Sequence, residues 1–224
     1  MHARREDAMN SRALQGAIVA MLFLCPSIVG AAEAVSFAMW VGGGRYQNEA
    51  FNREFEAQGL EGVHGGTEFG GSIRVPFAQR WSIDLEVARL QGNAKTPPRF
   101  EVAAPVSVSF LRTRVTALPV QLGYSVLASR SGHVSVLAGA GPMVAHWEVE
   151  GTSYAPRSES VTRIYAQAAL EGGLRMTPGI ELTLRAVGRL AQANHVTQEG
   201  SSNELVTDMS GVGVALGMRL IPAR

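Results

Sequence analysis

The stretch RIYAQAALEGGLRM, Arg163 to Met176, decides the fold. Ile164, Ala166, Ala168, Leu170, Gly172, Leu174 and Met176 alternate with Arg163, Tyr165, Gln167, Ala169, Glu171, Gly173 and Arg175. One set is apolar and the other carries charge. A repeat of two places the sets on opposite faces of a β-strand, whereas a helix would group every third and fourth residue. Thr177-Pro178-Gly179 then supplies a tight turn, and the pattern resumes. Ile180, Leu182, Leu184, Ala186 and Leu190 now alternate with Glu181, Thr183, Arg185, Val187 and Arg189.

Outward from this hairpin the same period recurs. Phe69, Ile73, Val75 and Phe77 share a face, as do Trp81, Ile83, Leu85 and Val87, and as do Val212, Val214, Leu216, Met218 and Leu220. Eight strands are predicted, near residues 35–46, 66–77, 80–91, 108–126, 133–147, 161–176, 180–194 and 209–221. The connections alternate in length. Residues 47–65, 92–107, 148–160 and 195–208 form long polar loops, while Ala78-Gln79, Ser129–Ser131 and Thr177–Gly179 form tight turns. An even number of antiparallel strands, with long loops at one end and short turns at the other, is the plan of bacterial outer-membrane barrels. It predicts an all-β, closed, up-and-down transmembrane barrel with both termini on the periplasmic side.

A soluble barrel also alternates, with its apolar face inward. Three features favour the opposite orientation. The polar face holds Glu68, Arg74, Asp84, Glu86, Glu171, Arg175, Arg185, Arg189 and Arg219, interspersed with Gly70, Gly139, Gly141, Gly173, Gly211, Gly213 and Gly217. Glycine weakens a solvated strand, but beside long charged side chains it suits a narrow packed interior. These nine charged residues are therefore expected to form a lumen salt-bridge network. Second, Phe37, Phe77, Trp81 and Tyr124 fall on the apolar face at the turn end, as an interfacial aromatic girdle would. Third, Ile164–Leu174 and Ile180–Leu190 carry no charge on the apolar face, and each meets the roughly 9–11 residues a tilted strand needs to span. Arg89, Arg112 and Arg114 fall in the outward phase, at the loop end of their strands. A bulge there would turn them inward instead.

Composition is consistent with this. Charged residues are 17% of the 224, below the quarter usual in soluble domains. The formal net charge of +1 gives no basic field for nucleic acid. Arg4, Arg5 and Arg12, then the apolar run Ala17–Val29, then Ala31, Ala32 and Ala34, read as a secretory signal peptide over residues 1–34, with the barrel over 35–224. The run is too short to anchor as a helix, which needs about 20 residues. Cys25, the one cysteine, falls in this leader in a poor lipoprotein context, so neither disulfide nor lipid anchor is expected.

The segments Leu118–Tyr124 (LPVQLGY), Val136–Pro142 (VLAGAGP) and Gly211–Leu220 (GVGVALGMRL) resemble the small outer-membrane barrels of the OmpX-like, OmpW-like and OmpA-barrel kind. The resemblance covers the chain beyond the leader, as a pattern. It departs at the end, Leu220-Ile221-Pro222-Ala223-Arg224, where such proteins carry an aromatic residue. It implies a Gram-negative outer-membrane protein, inserted by the barrel-assembly machinery, monomeric and without cofactor.

No catalytic or metal-binding constellation is legible. His195 and Thr197 faintly resemble the His-x-Ser of outer-membrane lipid A deacylases, with Thr in place of Ser. Gly42-Gly43-Gly44 precedes no helix, so it is not a phosphate loop, and His64, His133, His146 and His195 lack metal-ligand spacing. The cluster Arg89, Lys95, Arg99, Arg112 and Arg114 lies at the outer end of the third and fourth strands and in their loop, where lipopolysaccharide presents phosphates. The sequence thus reads as a non-enzymatic outer-membrane barrel, porin-like in build, with a packed charged lumen and loop- or lipopolysaccharide-mediated contacts. Three alternatives are a narrow channel for small hydrophobic solutes, a lipid A-modifying enzyme using His195 as base, and a soluble lipocalin-like barrel.

Overall fold

The computed structural model describes residues 35–49, 52–53, 62–95, 110–150, 157–197 and 204–222. The expected leader, with Cys25, lies outside them, as does Arg99. Among the described residues eleven strands occur: β1 Ser36–Tyr46, β2 Gly65–Ala78, β3 Trp81–Lys95, β4 Phe110–Ala117, β5 Val120–Ala128, β6 Gly132–Glu150, β7 Arg157–Thr177, β8 Ile180–Leu190, β9 Gln192–Thr197, β10 Glu204–Asp208 and β11 Gly211–Leu220. Every pairing is antiparallel. The sheet closes: β1 pairs with β2 on one side and with β11 on the other.

Eleven strands make eight staves, because three staves are interrupted. β4 and β5 are one stave broken at Leu118-Pro119, β8 and β9 one broken at Ala191, and β10 and β11 one broken at Met209-Ser210. Proline has no N–H to give the ladder, yet the register does not slip at Pro119. Ala117 faces Ala88 and Val120 faces Leu85, three residues apart on both strands. There is accordingly no bulge to turn Arg112 and Arg114 inward, and both stay in the outward phase. Register shifts within the barrel wall occur at Pro76/Ala78, Ser125/Leu127 and Arg175/Thr177, all at the turn end.

β8 settles which face looks out. Its side chains alternate exposed and buried along its whole length. Leu184 is 57% exposed while its neighbour Arg185 is 5% exposed. Leu182 and Leu216 also point outward, and Glu171 is buried. Met39, Val41, Phe69, Val87, Leu122, Val136, Ile164, Leu170 and Val214 continue an exposed apolar band around the wall. Monomeric soluble proteins do not expose such a band, and a hydrocarbon solvent suits it. The orientation is the reverse of a lipocalin's, so the soluble-barrel alternative is set aside. The chain is an integral outer-membrane β-barrel.

One feature of the interior departs from expectation. Toward the loop end the lumen is apolar. Tyr46, Val63, Ala88, Leu90, Val115, Ala117, Met143, Tyr165 and Met209 form one buried cluster there. On the outer face around this cluster Arg89 and Arg114 are charged, with Arg112 and Glu148 beyond them, while Val87, Val144 and Ile164 remain apolar. The barrel therefore inverts along its axis. Through the apolar band it is greasy outside and ionic inside, and toward the loop end the lumen turns apolar while charge appears on the outer face at Arg89, Arg112, Arg114 and Glu148. The strand lengths agree: β6 has 19 residues and β7 has 21, about twice what crossing the bilayer requires.

Candidate functional site

Two layers of ionic contacts fill the lower lumen. At the turn end Arg74, on β2, donates from Nε to both oxygens of Asp84 at 2.8 Å. Its Nη2 lies 3.0 Å from Glu171. The Glu171 carboxylate also accepts from Arg219 at 2.8 Å and faces His133 Nε2 at 3.2 Å. Glu181 closes the ring, 3.3 Å from Arg219 and 3.2 Å from His133 Nδ1. The second layer centres on Glu86. It accepts from Arg185, from Gln121 at 2.6 Å and from Gln167 at 2.9 Å. Tyr165 donates to Gln167 at 2.7 Å, and the Arg185 guanidinium lies 5.6 Å above the Trp40 ring. Beside it Arg189 meets Glu68 at 2.6 Å.

Eight of the nine charged residues expected in the lumen thus contact one another there; Arg175, though inward in phase, is exposed at the turn end. His133, Glu181, Gln121, Gln167 and Trp40 belong to the same packing and were not singled out from sequence. Glu181 was visible in the alternation of β8. His133 sits at a strand start, where phase is hardest to read. The glycines have a steric reason: a Cβ on Gly44 would strike the Glu68 carboxylate, and one on Gly213 would strike Arg189. The remaining void among Trp40, Glu68, Glu86, Tyr165, Arg185 and Arg189 is about 10 Å³, room for one water molecule at most.

Above these layers, a short strap of described residues just beyond β1 is bonded to Val63 and to the β10–β11 stave. Asn52 Oδ1 accepts the Val63 N–H at 2.7 Å, and Asn48 Nδ2 donates to the Val63 carbonyl at 3.3 Å. Asn48 Oδ1 accepts the Asp208 N–H at 2.8 Å, and the Gln47 N–H donates to the Ser210 carbonyl at 2.8 Å. These bonds hold Val63, 1% exposed, against the apolar cluster.

The outer rim presents a different surface. Arg112 and Arg114 flank one carboxylate, Glu148, at 3.6 and 3.9 Å. Arg89 lies 5.8 Å from the Phe69 ring centroid. Arg114, His146 and Ser160 stand side by side in register on β4, β6 and β7. His146 Nδ1 is 2.9 Å from Ser160 Oγ. Lys95 ends β3, and the side chain there lies outside what is described. At the opposite end Trp81 and Tyr124 pack with ring centroids 4.8 Å apart, and Phe37 and Phe77 are exposed on the same outward face. His195 and Thr197 lie in β9, and their side chains are also outside the described set. No group of three metal-ligating side chains occurs among the described residues.

No family model matches the chain, and no curated protein matches it. Solved structures do. OprG, an outer-membrane protein of Pseudomonas aeruginosa, aligns over 86% of this chain and 98% of its own, at 10% identity and a TM-score of 0.53. Ail, the attachment invasion locus protein of Yersinia pestis, solved in complex with the heparin analogue sucrose octasulfate, aligns over 84% of this chain and 98% of its own, at 12% identity and a TM-score of 0.51. At these identities the likeness is one of fold: the small outer-membrane barrel, across essentially the whole length of those proteins.

Proposed function

We propose that this barrel is a non-conducting outer-membrane protein whose outer rim holds phosphate-bearing lipid, lipopolysaccharide above all. The observation that carries the reading is the axial inversion. Arg89, Arg112 and Arg114 project outward directly above the exposed apolar band, and Glu148 lies against both Arg112 and Arg114. That is the height at which an outer-leaflet lipid carries its phosphates, and guanidinium groups bind phosphate with two donors at once. Lys95 and the loop residue Arg99 extend the same charge along the chain. Ail, a barrel of this fold, was crystallised with a highly sulfated sugar, so a polyanionic carbohydrate is a ligand class that such a fold accommodates.

The lumen supports no solute path. An eight-stranded barrel is just wide enough for side chains to fill, and here Glu86, Arg185, Gln121 and Gln167 fill it. This weighs against the narrow-channel alternative. The chain would reach the membrane through its leader and the barrel-assembly machinery, and would act as a monomer.

The test is lipid retention. Arg112→Glu with Arg114→Glu should leave a heat-modifiable, folded barrel that co-purifies with several-fold less lipopolysaccharide. Unchanged retention would remove the rim from the binding site.

A further inference from the structure

We propose that Ser160 and His146 form a nucleophile–base pair that hydrolyses acyl esters of outer-leaflet lipids. The two lie on the outward face of the rim, on adjacent staves β6 and β7, as a directly opposed register pair. His146 Nδ1 is 2.9 Å from Ser160 Oγ, and Ser160 is exposed. A serine hydroxyl within hydrogen-bond reach of an imidazole is the arrangement that activates a weak oxygen nucleophile. The pair is fourteen residues apart in sequence, so no short motif could reveal it.

Position selects the substrate. Ile164, 78% exposed, lies four residues toward the membrane on the same face of β7, and Pro142 holds the corresponding place on β6. Arg112, Arg114 and Glu148 lie level with the pair or beyond it. The dyad thus sits between an acyl-chain solvent below and phosphate-binding cations beside it. A lipid places its carboxylic esters at that same boundary, between chains and headgroup. Arg114, opposite His146 in register, supplies a cation beside the pair for an oxyanion formed there.

The chemistry closes with water alone. Ser160 Oγ attacks the ester carbonyl while its proton passes to His146, giving a tetrahedral oxyanion. The carbon–oxygen bond to the lipid alcohol breaks, and the alcohol leaves with the proton from His146. Water, deprotonated by His146, then attacks the acyl-serine, and the fatty acid departs as Ser160 regains its proton.

The inference shares the lipid-binding rim with the function proposed above only for its choice of substrate. Its test therefore uses a soluble ester and a covalent probe as well as lipid. The whole protein, folded in detergent micelles, should hydrolyse p-nitrophenyl decanoate and take up a fluorophosphonate on Ser160, located by peptide mass spectrometry. Ser160→Ala should abolish both signals. His146→Gln, which keeps a polar group of similar size but no base, should slow hydrolysis by about 100-fold or more. Vesicles of phosphatidylglycerol and of lipopolysaccharide, assayed separately for released fatty acid, decide which lipid is the source. A heat-modifiable, folded wild-type barrel that takes no label and hydrolyses no faster than Ser160→Ala would overturn the proposal. Ser160→Ala should lose p-nitrophenyl decanoate turnover yet retain as much lipopolysaccharide as the wild type, which separates the chemistry from the binding role.

Discussion

Glu86 shows at the residue scale what holds the wall together. Its carboxylate is buried and meets Arg185, Gln121 and Gln167 from three different staves. Burying two charges is costly, and removing one partner strands the other. Glu86→Ala should therefore destabilise the barrel by about 3–5 kcal/mol, the range for breaking a buried ion pair, read as a lower urea midpoint in the fluorescence of nearby Trp40. The paired change Glu86→Met with Arg185→Met should cost less than Glu86→Ala, because it leaves no uncompensated charge. Which charged residues face inward was legible from the alternation of β2, β3, β7 and β8. Which of them pair was not. Arg74 finds Asp84 across a tight hairpin, but Glu68 and Arg189 are 121 residues apart and meet only because the sheet closes. The glycines were legible as a sign of crowding, and Gly44 and Gly213 show its cause. Gly213→Val should displace Arg189 and destabilise the fold, checked by loss of the compact species on unheated gels.

The strands behave as elements of two environments. Period-two alternation placed all eight staves but ended several of them short at the loop end: β7, expected over 161–176, runs over Arg157–Thr177, and residues 92–95, 148–150, 195–197 and 204–208, expected in loops, are strand. It could not give the sense of the faces above the membrane, because a period states which residues share a side and not what lies on that side. Leu90 and Val115, inward, and Arg89 and Arg114, outward, continue the phase of the lower strand while exchanging its chemistry. The interruption at Pro119 was visible as a residue, but its preserved register was not, since that depends on β3 and β6. The division predicts how outward charges are tolerated. Leu184→Arg, in the apolar band of β8, should cost about 2–4 kcal/mol in a bilayer, whereas Thr116→Arg, opposite the outward Arg89 in register, should cost about 0–1 kcal/mol. Urea unfolding in phospholipid vesicles measures both, and equal costs would contradict the inversion.

For the whole molecule, closure is the organising fact. A ring of eight staves has no free edge to aggregate, and ion pairs and an apolar cluster lie within it. Reconstituted into planar bilayers, the wild-type barrel should show no stable conductance, and steady open channels would mean that these layers part. The strap adds an order of events. Asn48 and Gln47, just beyond the first stave, are bonded to Asp208 and Ser210, at the break within the last. Those two regions become neighbours only when the N- and C-terminal staves zip together. Joining the two ends of the sheet and fastening Val63 inside it are therefore one act, since Asn48 bonds both Val63 and Asp208.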